Sequence, residues 1–130
     1  MQPLRKGQAV EAAEVIATYG AAWNEADDVR RLALLELAWA DEGVYQDPTG
    51  RVEGREALVA HIAGFREMMA GHAVDVSTGV DVYTDLFRFG WVMRDGGDVV
   101  MEGMDFGKLS SDGRIKRLYG FFGPFPPLDG

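Results

Sequence analysis

The stretch that decides the fold is DLFRFGWVMRDGGDVVMEGMDFGKLSSDGRIKRLYGFFG, residues 85–123. Apolar residues recur here at every second position, and a side-chain period of two is that of a strand. Phe87, Phe89, Trp91 and Met93 share one face of residues 85–94. RDGGD at 94–98 reads as a hairpin turn, because paired glycines supply the positive φ that tight turns need. Residues 99–109 read as the next strand, SSDG at 110–113 as another turn, and residues 114–123 as the last strand. PFPPLDG beyond them cannot continue a central strand, since proline has no ladder donor. Immediately upstream, HAVDVSTGV at 72–80 shows the same alternation, with Val74, Val76 and Val80 on one face.

Working back towards the start, the period changes to that of helices. Residues 8–24 read as a first helix, with Val15, Tyr19, Ala22 and Trp23 at helical spacing. Residues 27–40 read as a second, opened by Asp27 and Asp28, which suit a helix N-terminus. Residues 41–43 break it, and residues 44–46 form a short strand. Residues 55–70 read as a third helix, with Leu58, Ile62, Phe65 and Met69 on one face and Gly71 as a C-cap. Helices first and a meander of about four long strands after them make an α+β layout. Its helices lie on one face of a curved antiparallel sheet.

The 130 residues are one domain by length, 1–130, and 47% hydrophobic with 26% charged residues is an ordinary globular balance. A net charge of −8 repels phosphate backbones and anionic membranes, so neither nucleic acid nor a membrane is expected as a partner. There is no cysteine and only two histidines, His61 and His72, so no disulfide and no metal site is expected. No window approaches the ~18 apolar residues of a membrane span. The opening MQPLRKGQAV lacks the apolar run of a signal segment, which makes a cytoplasmic location the default expectation.

Three blocks carry a family resemblance: WADEGVYQDPTGRVEGREAL at 39–58, GMDFGKLSSDGRI at 103–115 and GFFGP at 120–124. The chain resembles the SnoaL-like, nuclear-transport-factor-2-like superfamily over nearly its whole length. That resemblance implies a cone-shaped, cystatin-like α+β barrel. In it a bent antiparallel sheet wraps around three N-terminal helices and leaves a ligand cavity at the open end. It also implies a homodimer joined through the outer sheet face. The fold hosts many chemistries and some members with none.

At the chemical positions the chain is most similar to ketosteroid isomerase. The resemblance implies a general base at Asp47, within YQDPTG at 45–50, with Tyr19 and a protonated Asp105 as donors to an enolate oxygen. No cofactor is implied. The strand pattern agrees on one point: Asp105 shares its face with Val99, Met101, Gly103 and Leu109 and with no other charge. A structural acid bonded to backbone would look the same. Asp47-Pro48-Thr49-Gly50 is also a favoured β-turn, and a turn former needs no catalytic reason. Tyr19 sits among helix-core residues, where a tyrosine can simply pack. The supporting tyrosines of the isomerase pattern are replaced here by Trp39 and Ile62.

Around that trio, Trp23, His61, Phe87, Trp91, Met101 and Phe121 are the candidate substrate-binding residues. Phe89, Phe122 and Met104 are further aromatic or apolar candidates. Aromatics at strand spacing serve equally as core or as dimer surface. His61 flanks the apolar stripe of the third helix, either as a proton shuttle or as a plain helix residue. Arg88 alternates away from Phe87 and Phe89, which disfavours an epoxide-hydrolase arrangement. The expected ligand is a small apolar molecule, taken up by an isomerase-like or cyclase-like enzyme. The alternatives are a non-catalytic binder of such a ligand and a dimerisation module whose interior is filled by Trp23 and Trp39.

Overall fold

Apolar side chains at steps of four, three and four shape the first helix, α1, over Lys6–Asn24. Ile16, Tyr19 and Trp23 are buried on its inner face. The computed structural model describes the backbone of residues 6–129 and the side chains of residues 11–129. The expectation that the opening residues carry no signal segment lies outside the described residues. Asp27 caps the second helix, α2, Asp28–Ala38, by accepting from the Arg30 N–H at 2.9 Å. The third, α3, spans Arg55–Met68 and buries Leu58 and Ile62. No described helix is long and apolar enough to cross a membrane.

Between the second and third helices the chain is more strand-like than its sequence suggests. Helix α2 stops at Ala38, and Trp39 opens a nine-residue strand, β1, Trp39–Asp47. The fully buried Trp39 ring decides this, because it stacks on Tyr19 with centroids 5.6 Å apart. Gly43 lets the strand close over that ring; a Cβ there would stand 2.4 Å from Trp39 Nε1. Pro48 and Thr49 form a two-residue turn into β2, Gly50–Glu53, a strand the alternation did not reveal.

The remaining strands are β3 His72–Val76, β4 Asp81–Tyr83, β5 Leu86–Asp95, β6 Asp98–Leu109 and β7 Ile115–Phe122. The strand expected over 72–80 stops at Val76, and a separate short strand, β4, begins only at Asp81. Past Val76 the link to β5 continues through the Ser77 N–H donating to Gly90 C=O at 2.9 Å and the Gly90 N–H donating to Thr78 Oγ1 at 2.7 Å. The sheet has seven strands in the order β2-β1-β7-β6-β5-β3, with β4 also on β5. It is mixed rather than purely antiparallel, since β1 and β7 run parallel. Parallel neighbours need a long crossover, and α3 with the whole meander supplies it.

The sheet curls around the helices. Its β3 edge is protected where the Asn24 amide accepts from Val74 N–H at 2.9 Å and donates to Val74 C=O at 2.8 Å. The turn between α1 and α2 is held by Arg31, a buried arginine that donates to Glu25 C=O and pairs with Asp28 at 2.6 Å.

Candidate active site

The site grows out of strand register. Gln46 pairs with Tyr119 in the parallel ladder, so Asp47 and Gly120 lie one step further on at one level. Gly120 pairs with Asp105, and Asp105 pairs with Phe89. Asp47, Gly120, Asp105 and Phe89 thus form one row across β1, β7, β6 and β5. Strands lie about 4.8 Å apart, so the two acids stand ~10 Å apart at the backbone with a glycine between them. A Cβ at Gly120 would lie 2.7 Å from Asp105 Oδ1 and 3.5 Å from Asp47 Cβ. Both acids therefore reach over the gap that the glycine leaves.

Asp105 is 8% exposed. Its Oδ1 accepts from Trp91 Nε1 at 3.0 Å. Gly103 makes that bond sterically feasible, since a Cβ there would come within 2.2 Å of the Trp91 ring. Among the described residues Oδ2 has no hydrogen-bond partner, and Asp105 lines the cavity. Burial pushes the carboxyl up to about 7, with the Asp47 charge adding to the rise and the Trp91 hydrogen bond opposing it.

Asp47 ends β1 and is only partly buried. Its Oδ2 accepts from the Tyr45 hydroxyl. Its Oδ1 accepts from the Thr49 N–H at 2.7 Å and the Thr49 hydroxyl at 2.5 Å. The turn role and the cavity position therefore coexist, and Oδ2 keeps one lone pair open. Tyr19, buried on α1, has its phenol held well above the usual range by burial and by the Asp105 charge, so it keeps its proton and can donate it in a hydrogen bond. Tyr45 is raised the same way, by burial first and then by Tyr19.

These groups face a cavity of about 390 Å³. Tyr19 and Trp23 of α1 form one wall, and His61, Phe65 and Met68 of α3 a second. Val74, Val76, Phe89, Trp91 and Met93 form the sheet wall, which Phe122 completes. His61 lies against the Tyr45 ring at 5.2 Å and edge-on to Trp23 at 6.1 Å. Among the described residues no group of three potential ligands is placed to hold a metal ion.

Of the residues singled out from sequence, Tyr19, Asp47, Asp105, Trp23, His61, Trp91, Phe89 and Phe122 line this cavity. Phe87, Met101 and Phe121 do not. Phe87 is stacked behind Phe89 at 6.1 Å, where Gly107 makes room for its ring. Met101 pairs with Met93 and is half-buried outside the walls. Phe121 pairs with Met104, has the opposite parity to Gly120, and stacks on Phe106 at 6.2 Å on the outer face. Arg88 is also outside, paired with Asp81 at 2.8 Å. Sequence reasoning missed Tyr45, although its i, i+2 relation to Asp47 places both on one strand face. It also missed Thr49, Phe65 and Met93.

None of the functionally curated proteins matches the chain. A candidate isomerase of the SnoaL-like family from Agrobacterium tumefaciens is similar at 33% identity and TM-score 0.82, over 88% of this chain and 99% of that one. A protein of unknown function with a cystatin-like fold from Nostoc punctiforme aligns at 16% identity and TM-score 0.73, over 98% and 99%. A candidate polyketide cyclase from Sinorhizobium meliloti aligns at 18% and 0.65, over 86% and 97%, a likeness of fold alone. The family model described as a SnoaL-like domain matches residues 15–118, and the chain belongs to the SnoaL-like family.

Proposed function

We propose that this protein is an enzyme that moves a proton on a small apolar carbonyl compound within the cavity. The observation that carries this reading is the row Asp47–Gly120–Asp105, whose two acids face one largely apolar hollow with Tyr19 beside them. Asp47, through the open lone pair of Oδ2, takes a proton from the carbon next to the carbonyl. The developing enolate oxygen accepts from protonated Asp105 and from the Tyr19 hydroxyl. Asp47 then returns the proton to another carbon of the conjugated system. A positioned base contributes about 10²–10⁴-fold, and one donor to an oxyanion about 10²–10³-fold. The volume lies at the low end of the ~300–1,000 Å³ usual for ligand sites, which supports a substrate of one or two rings. The likeness to the Agrobacterium candidate isomerase supports isomerisation over cyclisation.

The test is a panel of one- and two-ring β,γ-unsaturated ketones, followed by the absorbance of the conjugated product. With a compound that turns over, Asp47→Asn should lower kcat by about 100-fold or more while the melting curve is unchanged. Unchanged turnover in that variant would show that Asp47 is not the base. A second reading, a non-catalytic binder, draws support from the Tyr45 and Thr49 bonds that occupy Asp47 as they would any turn residue. It requires that every bound compound be recovered unchanged.

A further inference from the structure

We propose that the same cavity is a receptor for a lipophilic ammonium ion, seated between the carboxylates of Asp47 and Asp105 above Gly120. This goes beyond the proton-transfer reading: it shares the cavity and needs none of that chemistry.

Charge comes first. Among the described residues the cavity walls hold two acids and no lysine or arginine. A carboxylate pair in an apolar hollow with no internal cation favours a ligand that brings one. The oxygen geometry comes second. Asp105 is 8% exposed, its Oδ1 is engaged by Trp91, and its Oδ2 faces the cavity with no partner among the described residues. An open carboxyl oxygen on a residue that is otherwise buried can be completed by a donor from the ligand. The third element is aromatic. Trp23, Tyr45, Phe89 and Trp91 line the same hollow, and ring faces attract cations that are shielded from water. The net charge of −8 adds long-range attraction for the same sign of ligand.

A carbonyl ligand needs a proton on Asp105, whereas an ammonium needs the proton gone. The two ligand types must therefore show opposite pH dependences around the titration of this carboxyl, at about 7. The other titratable groups facing it are Tyr19 from α1, Tyr45 and Asp47 from β1, and His61 from α3. His61 faces the same hollow from α3 and is the control position.

The experiment is calorimetric titration of the full chain with three compounds of matched size: 2-aminoindane, 2-indanone and indane-2-carboxylate. At pH 8 the ammonium should bind ~100-fold more tightly than the carboxylate. Its affinity should rise by up to about tenfold per pH unit from pH 5 to 7 and then level off, while that of the ketone falls above pH 7. Asp105→Asn should remove the ammonium slope, and His61→Asn should keep it. Equal affinity for ammonium and carboxylate overturns the proposal, as does a flat ammonium profile in the unmodified protein, which needs no variant to fold. A slope that survives in a folded Asp105→Asn protein overturns it too. Loss of enone turnover in Asp47→Asn alongside any of these results would refute the ammonium site alone.

Discussion

Gly120→Ala probes the central row with a single methyl group. The new Cβ would stand 2.7 Å from Asp105 Oδ1, and ordinary contact begins at 3.4 Å. Oδ1 cannot simply swing aside, because Trp91 Nε1 holds it at 3.0 Å and the Trp91 ring is itself packed over Gly103. Relief therefore means stretching that hydrogen bond or shifting β6. Overpacking a tight site costs about 1–3 kcal/mol, and weakening a buried bond to an acid adds roughly 1–2 kcal/mol. We expect a loss of about 2–4 kcal/mol, read as a lower urea midpoint at unchanged m-value and a drop in Tm of about 10 °C. Because the Trp91 bond opposes the upward shift of Asp105, its loss should also move that carboxyl's titration higher. Gly64→Ala is the matched control. It lies inside α3, a Cβ there meets nothing within 4 Å, and alanine should stabilise by about 0.5–1 kcal/mol. If Gly120→Ala falls within ~0.5 kcal/mol of the parent and leaves the Asp105 titration in place, the steric account of the row is wrong.

Two further outcomes follow from the same structure. Folding raises Asp105 from 3.8 to about 7, so between those values the native state holds a proton that the unfolded chain has released. Stability contributed by this group is complete below pH 3.8 and is lost as pH rises towards 7, on the order of 4 kcal/mol in all. Denaturation curves of the parent minus those of Asp105→Asn should show that slope, and a flat difference would contradict it. On the outer sheet face Phe106 lies 5.5 Å from Tyr119 and 6.2 Å from Phe121, which is 59% exposed. If two copies join there, light scattering should give twice the chain mass for the parent and the single mass for Phe121→Asp; a monomeric parent removes this interface.

The helices and the long meander were legible because each exposes a period over eight or more residues, as in Tyr19, Ala22 and Trp23 of α1 or Phe87 to Met93 of β5, although the fully buried residue of the first stripe is Ile16 rather than Val15. Strands β2 and β4 were not, since four and three residues hold too little alternation to stand out. The end of α2 was misjudged because Ala38, Trp39 and Ala40 read as helix formers. The ring of Trp39 settles the matter through a contact with Tyr19, twenty positions away in the chain. Asp105 was visible as a lone acid on an apolar face. Of the consecutive pair Phe121 and Phe122, both read as pocket candidates, only Phe122 turns inward, because two adjacent aromatics offer either parity and pairing with β6 decides between them.

That parity explains why the site depends on register more than on its acids. Asp47 and Asp105 lie on strands that do not touch; β7 separates them, and only its position 120 stands in line with both. Slipping β7 by one residue would put Tyr119 or Phe121 in that place and drive a ring into the space now shared by the carboxyls. It would also turn Leu118 out of the core and Phe121 into it. The apolar core that fixes the register therefore also fixes the glycine between the acids. Any acidic chemistry in this cavity rests on the packing of Ile115 and Leu118, two residues that never meet the ligand.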